Sequence, residues 1–191
     1  MNGEEVNKVG EDIERRIKGV NYLGCYLADE CYRIEARGGS KFSFAIINIL
    51  SSKSPRSAMG HYILVGFIRN SLLYFDSYGL NINYYSFYLS NYIRHYKNKG
   101  YRIIRVGRRL QGMGSLVCGL YSLYIAYILA RYGVVGIDSH IRRKFTTNFA
   151  RNDRIIVRLC YRIFKNLPEC IKTFCVGALS YDECRRRICS S

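Results

Sequence analysis

The stretch LQGMGSLVCGLYSLYIAYILARYG, residues 110 to 133, places Cys118 where a glycine-bearing loop runs into an almost wholly apolar segment. A free cysteine is often a small packed hydrophobe. A thiol at a helix N-terminus, however, meets the positive end of the helix dipole and is readily made a thiolate. A nucleophile needs a base, and the chain offers His61, His95 and His140. His61 opens the apolar run HYILVGFI and Asp76 ends the run LLYFD, with RNS between them. Reflected about a turn near Asn70, the two side chains lie at the same end of one antiparallel hairpin. A carboxylate there fixes the imidazole tautomer and stabilises the imidazolium. His95 and His140 lack a similarly placed acid, and a lone histidine is commonly a satisfied structural one. Gln111, seven residues before Cys118 in a flexible loop, can add a side-chain amide to the helix N–H groups as an oxyanion hole. In chain order His61, Asp76, Gln111 and Cys118 form a cysteine-protease constellation.

The elements that must position these residues follow from periodicity. Residues 4 to 18 carry Val6, Val9, Ile13 and Ile17 on one side of a charged amphipathic helix. SFAIINIL, residues 43 to 50, reads as a buried strand, followed by a serine-rich loop with Pro55 and Gly60. After the hairpin, NYYSFYLSNYIRHYKNKG reads as a helix ended by Gly100, and YRIIRV as a further strand. The segment after Cys118 is then a central helix that Gly133 can cap, and residues 153 to 166 form a C-terminal helix with a basic face. This order predicts an α+β domain. With 191 residues, 49% of them hydrophobic, one domain spanning 1–191 can bury on the order of 70% of its unfolded surface.

Composition narrows the function classes. The longest apolar run, Leu116 to Ala130, falls short of the roughly 20 residues of a membrane helix. The charged N-terminus has no signal-peptide core, so the expected protein is soluble, intracellular and without a membrane partner. In a reducing compartment the eight cysteines do not suggest a disulfide framework. Cys170/Cys175 and Cys184/Cys189 are spaced five apart, with no histidine after Cys160, which fits packed or surface thiols better than zinc. The net charge is +16, and no acidic residue occurs from Ser77 to Ile137. That span carries Arg94, Lys97, Lys99, Arg102, Arg105, Arg108, Arg109 and Arg131, and a second group runs from Arg142 to Arg162. A sustained one-sign surface suits a polyanion, most simply nucleic acid, although a generally basic proteome gives the same balance. The eighteen tyrosines fit core and strand positions better than base stacking.

GHYILVGF, YFDSYG and QGMGSLVCGLYS resemble the adenovirus-type cysteine proteases, the adenain family. Its members have a histidine after glycine, an acidic residue at the end of the next strand, then glutamine, glycine, serine and cysteine-glycine. The interval of seven from Gln111 to Cys118, with Gly112, Ser115 and Gly119 also matching, is closer to adenains than to the related SUMO-deconjugating proteases, which usually have one fewer residue there. Upstream, YLGCY and FAIINIL resemble the strands preceding the family's histidine, and the likeness covers about residues 21 to 132.

The resemblance implies a papain-like α+β fold, with a central mixed sheet packed on a buried helix that starts at the nucleophile. It makes His61 the general base, Asp76 its orienter, Cys118 the nucleophile, and Gln111 with the Cys118 N–H the oxyanion hole. It also implies a monomer in the virion and host nucleus that cuts viral precursor proteins at glycine-containing sites. No cofactor is needed for the chemistry, and DNA, bound without sequence preference, acts as activator. Tyr62 stands where tryptophan is common, and Asp76 where adenovirus enzymes have glutamate. NKGYRIIRV lacks the cysteine that tethers an activating peptide in those enzymes, so dependence on a peptide stays open. Two alternatives remain: a deconjugating protease for a ubiquitin-like modifier, and an inactive basic DNA-binding virion protein.

Overall fold

In a computed structural model of the chain, residues 1–36, 38–55, 58, 60–164 and 167 are described. Helix α1 (Gly3–Arg16) buries Val6, Val9 and Ile13, and its N-terminus is closed by a reciprocal capping box between Asn2 and Glu5. It stops short of the expected residue 18 because Ile17 turns extended. Five strands follow, β1 (Val20–Leu27), β2 (Phe42–Asn48), β3 (Tyr62–Ile68), β4 (Ser71–Phe75) and β5 (Arg102–Val106). Helix α2 (Phe87–Asn98) separates β4 from β5, and α3 (Cys118–Tyr132), α4 (Ile137–Lys144) and α5 (Phe149–Ile163) complete the described elements.

The strands form one sheet in the order β1-β2-β3-β4-β5. The outer pairs, β1/β2 and β4/β5, are parallel, and the two inner pairs are antiparallel. Alternation along the strands sends Phe42, Phe44, Ile46, Leu64, Leu73 and Phe75 to one face. There they pack with the buried residues of α1, α3, α4 and α5. Ala45, Ile47, Ile63, Val65, Phe67 and Leu72 point to the other face, which holds Leu89, Tyr92, Ile93 and Tyr96 of α2. A sheet covered on both faces explains why FAIIN and YILVGF read as continuous apolar runs. Helix α3 lies at the centre, buried along almost its whole length, as a helix apolar all round requires. Gly133, at φ 75°, closes it with an N–H bond to the Leu129 carbonyl. The expected α+β architecture, with a mixed sheet packed on a buried helix starting at Cys118, is the one observed.

Some boundaries differ from expectation. Helix α5 starts at Phe149 because the Asn148 side chain caps it by accepting from the Arg151 N–H, and it ends where Phe164 turns extended. Helix α4 is an additional element that starts after the left-handed Gly136 and ends where Phe145 turns extended. Seven tyrosines are buried, at 22, 62, 74, 92, 96, 121 and 124, whereas Tyr32, Tyr84, Tyr88, Tyr132 and Tyr161 are exposed. Cys25, Cys31, Cys118 and Cys160 are not joined in disulfides among the described residues; Cys170, Cys175, Cys184 and Cys189 lie outside the described residues. Among the described residues no helix is long and apolar enough to cross a membrane, and no group of three potential ligands could hold a metal ion.

Candidate active site

The hairpin register pairs Leu64 with Phe75 and Ile68 with Ser71. His61 therefore stands one residue before β3 and Asp76 one residue after β4, at the same end. His61 Nε2 and Asp76 Oδ1 are 2.6 Å apart, with both side chains buried. Three more donors reach the carboxylate: the Tyr78 N–H at 3.0 Å, the Leu80 N–H at 2.7 Å and the Tyr85 hydroxyl at 2.8 Å. Burial works to raise the Asp76 pKa, but the His61 bond and charge and the two backbone donors outweigh it and hold the carboxyl below its usual range. The carboxylate is thus ionised and fixed in direction, so that the imidazole carries its Nε2 proton toward Asp76. Tyr78 stacks on the imidazole with ring centroids 4.2 Å apart and planes inclined by 18°.

Cys118 is the first residue of α3, and Val117 before it supplies no side-chain cap. The leading amides of the helix therefore keep donor capacity beside the thiol. Sγ accepts from the Tyr62 N–H at 3.5 Å, and one turn along α3 the Ser122 hydroxyl donates to the Tyr62 carbonyl at 3.1 Å. These bonds lock the start of α3 to the residue next to His61. Burial works to raise the thiol pKa, but interaction with His61 and the Tyr62 N–H lowers it overall. Burial likewise works to lower the His61 pKa, yet Asp76 and Cys118 carry it up to about 9. Among the described residues no hydrogen-bond partner reaches the buried His61 Nδ1, although His61 and Cys118 are near enough to shift each other's titration. With Nε2 committed to Asp76, Nδ1 is the nitrogen left to hold the thiol proton. The arrangement favours a thiolate beside an imidazolium.

Gln111 does not sit in a flexible loop; it is fully buried and pinned. Its Oε1 accepts from the Ser77 hydroxyl at 2.5 Å, and its Nε2 donates to the Ser115 carbonyl at 2.8 Å. The Leu110 and Gln111 N–H groups both donate to the Ser77 carbonyl, at 2.8 and 3.0 Å. The turn after Asp76 is therefore stitched to the loop before Cys118. Gly79, at φ 70°, allows this approach, since a Cβ there would come within 2.7 Å of the Arg109 backbone nitrogen. An amide has two protons, and among the described residues Gln111 gives one to Ser115.

The structure thus brings together all four residues singled out by sequence. His95 lies exposed near the end of α2, and His140 bonds the Tyr124 hydroxyl at 2.8 Å. Ser77 and Tyr85 were not singled out. Ser77 and Tyr78 lie inside the motif YFDSYG, so adjacency to Asp76 was the available signal; for Tyr85 there was none.

No protein-family model and no curated protein matches the sequence. Solved structures do match it. The C-terminal Ulp1 protease domain, in complex with Smt3, the yeast ortholog of SUMO, superposes with a TM-score of 0.51 at 15% identity, covering 82% of this chain and 74% of that one. The SUMO protease Ulp1 with its catalytic cysteine oxidised to a sulfinic acid gives a TM-score of 0.52 at 13% identity, covering 82% and 75%. At such identities the likeness is one of fold: the chain has the fold of the Ulp1 protease domain.

Proposed function

We propose that the protein is a cysteine endopeptidase that cleaves protein substrates at glycine-containing sites, with Cys118 as nucleophile. The observation that carries this reading is the buried set Asp76, His61 and Cys118, with Gln111 buried and bonded to Ser77 and Ser115 in the loop that leads to the helix. The Cys118 thiolate attacks the scissile carbonyl carbon, and the carbonyl electrons move to oxygen. The oxyanion takes hydrogen bonds from the free Gln111 amide proton and the Cys118 N–H. As the tetrahedral adduct collapses to a thioester, the C–N bond breaks and His61 gives its Nδ1 proton to the leaving amine. His61 then takes a proton from water as it attacks the thioester, and the second collapse releases the acid and restores the thiolate. Asp76 stays ionised and holds the ring.

The resemblance to adenains, carried in part by the seven-residue interval from Gln111 to Cys118, supports viral precursor proteins as substrates, with the enzyme working as a monomer in the virion and host nucleus. Stimulation by DNA is part of this reading. Arg94, Lys97, Lys99, Arg102, Arg105, Arg108, Arg109 and Arg131 are all exposed. So are Arg151, Arg154, Arg158 and Arg162, spaced three or four apart on the outer face of α5. The likeness to Ulp1 supports a second reading, removal of a ubiquitin-like modifier from its conjugate. Parallel turnover of a short glycine-containing peptide, a SUMO-type conjugate and capsid precursors, with new N-termini read by mass spectrometry, separates the two. Cleavage of precursors after glycine, with the conjugate untouched, is expected; preference for the folded conjugate would transfer the reading to deconjugation. Failure of all three would leave a basic DNA-binding virion protein that retains the fold.

A further inference from the structure

The loop carrying Gln111 has a second set of anchors, supplied by α5 and α3. Asn152, on the buried face of α5 and fully enclosed, donates from Nδ2 to the Leu110 carbonyl at 3.0 Å and to the Thr146 carbonyl at 2.9 Å. Its Oδ1 accepts from the Thr146 N–H at 2.8 Å. The Tyr121 hydroxyl of α3 lies 3.4 Å from the same Leu110 carbonyl and 3.0 Å from Asp153 Oδ1. The Leu110 carbonyl and the Gln111 N–H belong to one rigid peptide plane. Its N–H end is held by the Ser77 carbonyl and its C=O end by Asn152. A plane fixed at both ends sets the direction in which the Gln111 side chain leaves the backbone. Two neighbours reinforce the attachment: the Arg109 guanidinium lies 4.6 Å from the Phe149 ring centroid at the start of α5, and Arg108 bonds the Phe145 carbonyl at 3.2 Å.

We infer that Asn152, and more weakly Tyr121, are positioning residues: by holding the Leu110 carbonyl they fix where Gln111 presents its free amide proton. The inference rests on the proposed cysteine-peptidase reading. Neither side chain is assigned a contact with substrate; each acts through the loop. A misplacement of about 1 Å can cost on the order of a hundredfold in rate, so one buried hydrogen bond far from the thiol can matter to turnover.

Asn152→Asp tests this, because it keeps the acceptor for Thr146 while its buried carboxyl, neutral before two carbonyls, has one O–H where the amide gives a proton to each of Leu110 and Thr146. Tyr121→Phe is the milder second variant, keeping the ring and removing only the hydroxyl. Expected for Asn152→Asp is a fall in kcat of about tenfold or more with KM and the rate of Cys118 alkylation near those of the parent. Amide exchange should quicken at Leu110 and Gln111 but not at Leu80, which bonds Asp76. Tyr121→Phe should move the same readouts less far, and it decides the matter if Asn152→Asp does not fold. Unchanged kcat with unchanged exchange at Leu110 and Gln111 would overturn the inference, as would joint loss of kcat, substrate binding, alkylation and thermal stability. Absence of turnover by the parent on every substrate would instead overturn the functional reading and, with it, the catalytic consequence. Exchange at Leu110 and Gln111 would still report whether the anchor exists.

Discussion

Gln111→Glu separates the internal bonds of this side chain from the oxyanion role proposed for it. The amide accepts from Ser77 and donates one proton to the Ser115 carbonyl, leaving one for an oxyanion. A neutral glutamic acid is nearly isosteric, can accept from Ser77 and can donate its single O–H to Ser115, but has no proton left over. The variant should therefore keep the internal bonds and lose the oxyanion donor. Burial and the facing carbonyl favour the neutral form, raising the folded pKa above the unfolded one. Stability is then full below the unfolded pKa of about 4.3 and falls as pH rises, by roughly 1.4 kcal/mol per unit until the folded pKa is reached. At pH 6 that is about 2 kcal/mol, a loss most folded domains survive. Losing one oxyanion donor costs roughly 3 kcal/mol of transition-state stabilisation, on the order of a hundredfold or more in kcat. Substrate binding should change little, since the ground-state carbonyl asks less of the donor. Steady-state kinetics on a glycine-containing peptide at pH 6, alongside Cys118 alkylation with iodoacetamide, should show kcat collapsing while KM and alkylation hold. A kcat within a few fold of the parent would refute the reasoning. So would parallel loss of alkylation and turnover, because Gln111 would then be a packing residue and the oxyanion hole a matter of backbone groups alone.

Replacing His61 with alanine removes the cation that holds the buried thiol ionised; alkylation at pH 7 should slow roughly tenfold to a hundredfold, the lower reactivity of an acidic thiolate offsetting part of the gain in ionised fraction. The gap should narrow at pH 10, and an equal rate at pH 7 would show that His61 does not set the thiol's charge. Because His61 is raised to about 9, kcat/KM should fall on the alkaline side near that pH as the proton for the leaving amine is lost; a limb near 6.5 would mean that Asp76 does not support the ring. The same shift makes the stability contributed by charged His61 fully present below about 6.5 and lost as pH rises through about 9. Asp76, held low, contributes stability above the ordinary carboxylate pKa that is lost as pH falls through its own. Both trends should weaken in Asp76→Asn, as followed by thermal melts across pH. Duplex DNA should bind without sequence preference, with affinity falling steeply with salt through counterion release, and should raise kcat/KM; flat salt dependence, or no binding near 50 mM salt, would remove DNA from the account.

How much of this was legible in the sequence depends on the range of the interaction. His61 and Asp76 could be paired from sequence because a short antiparallel hairpin relates its two arms by simple reflection, and the apolar runs on either side of RNS fixed the centre. Cys118 could be placed at a helix start because an all-apolar segment after a glycine loop has few other uses. Strand β1 was suggested only by resemblance: VNYLGCYL is half-buried along most of its length, and its register shifts between Tyr22 and Gly24, so no clean alternation marks it. Helix α4 is eight residues long, between Gly136 and an extended Phe145, too short for periodicity to declare. The flexibility expected of the Gln111 loop was the main misreading. Glycines at 112 and 114 suggested freedom locally, but Ser77 and Asn152, distant in the chain, supply the bonds that fix it. Local composition carries no trace of such long-range anchors.

The central claim is that one thiol of the chain is an ionised nucleophile directed at a glycyl carbonyl. It is tested most directly by treating the protein at pH 7 with a peptide electrophile ending in glycine and locating the adduct by peptide mapping. The account predicts one adduct, on Cys118, absent in Cys118→Ala, strongly slowed in His61→Ala, and formed while the partly exposed Cys25 stays unmodified. An adduct that favours Cys25, or labelling of Cys118 no faster than of an ordinary thiol, would contradict it.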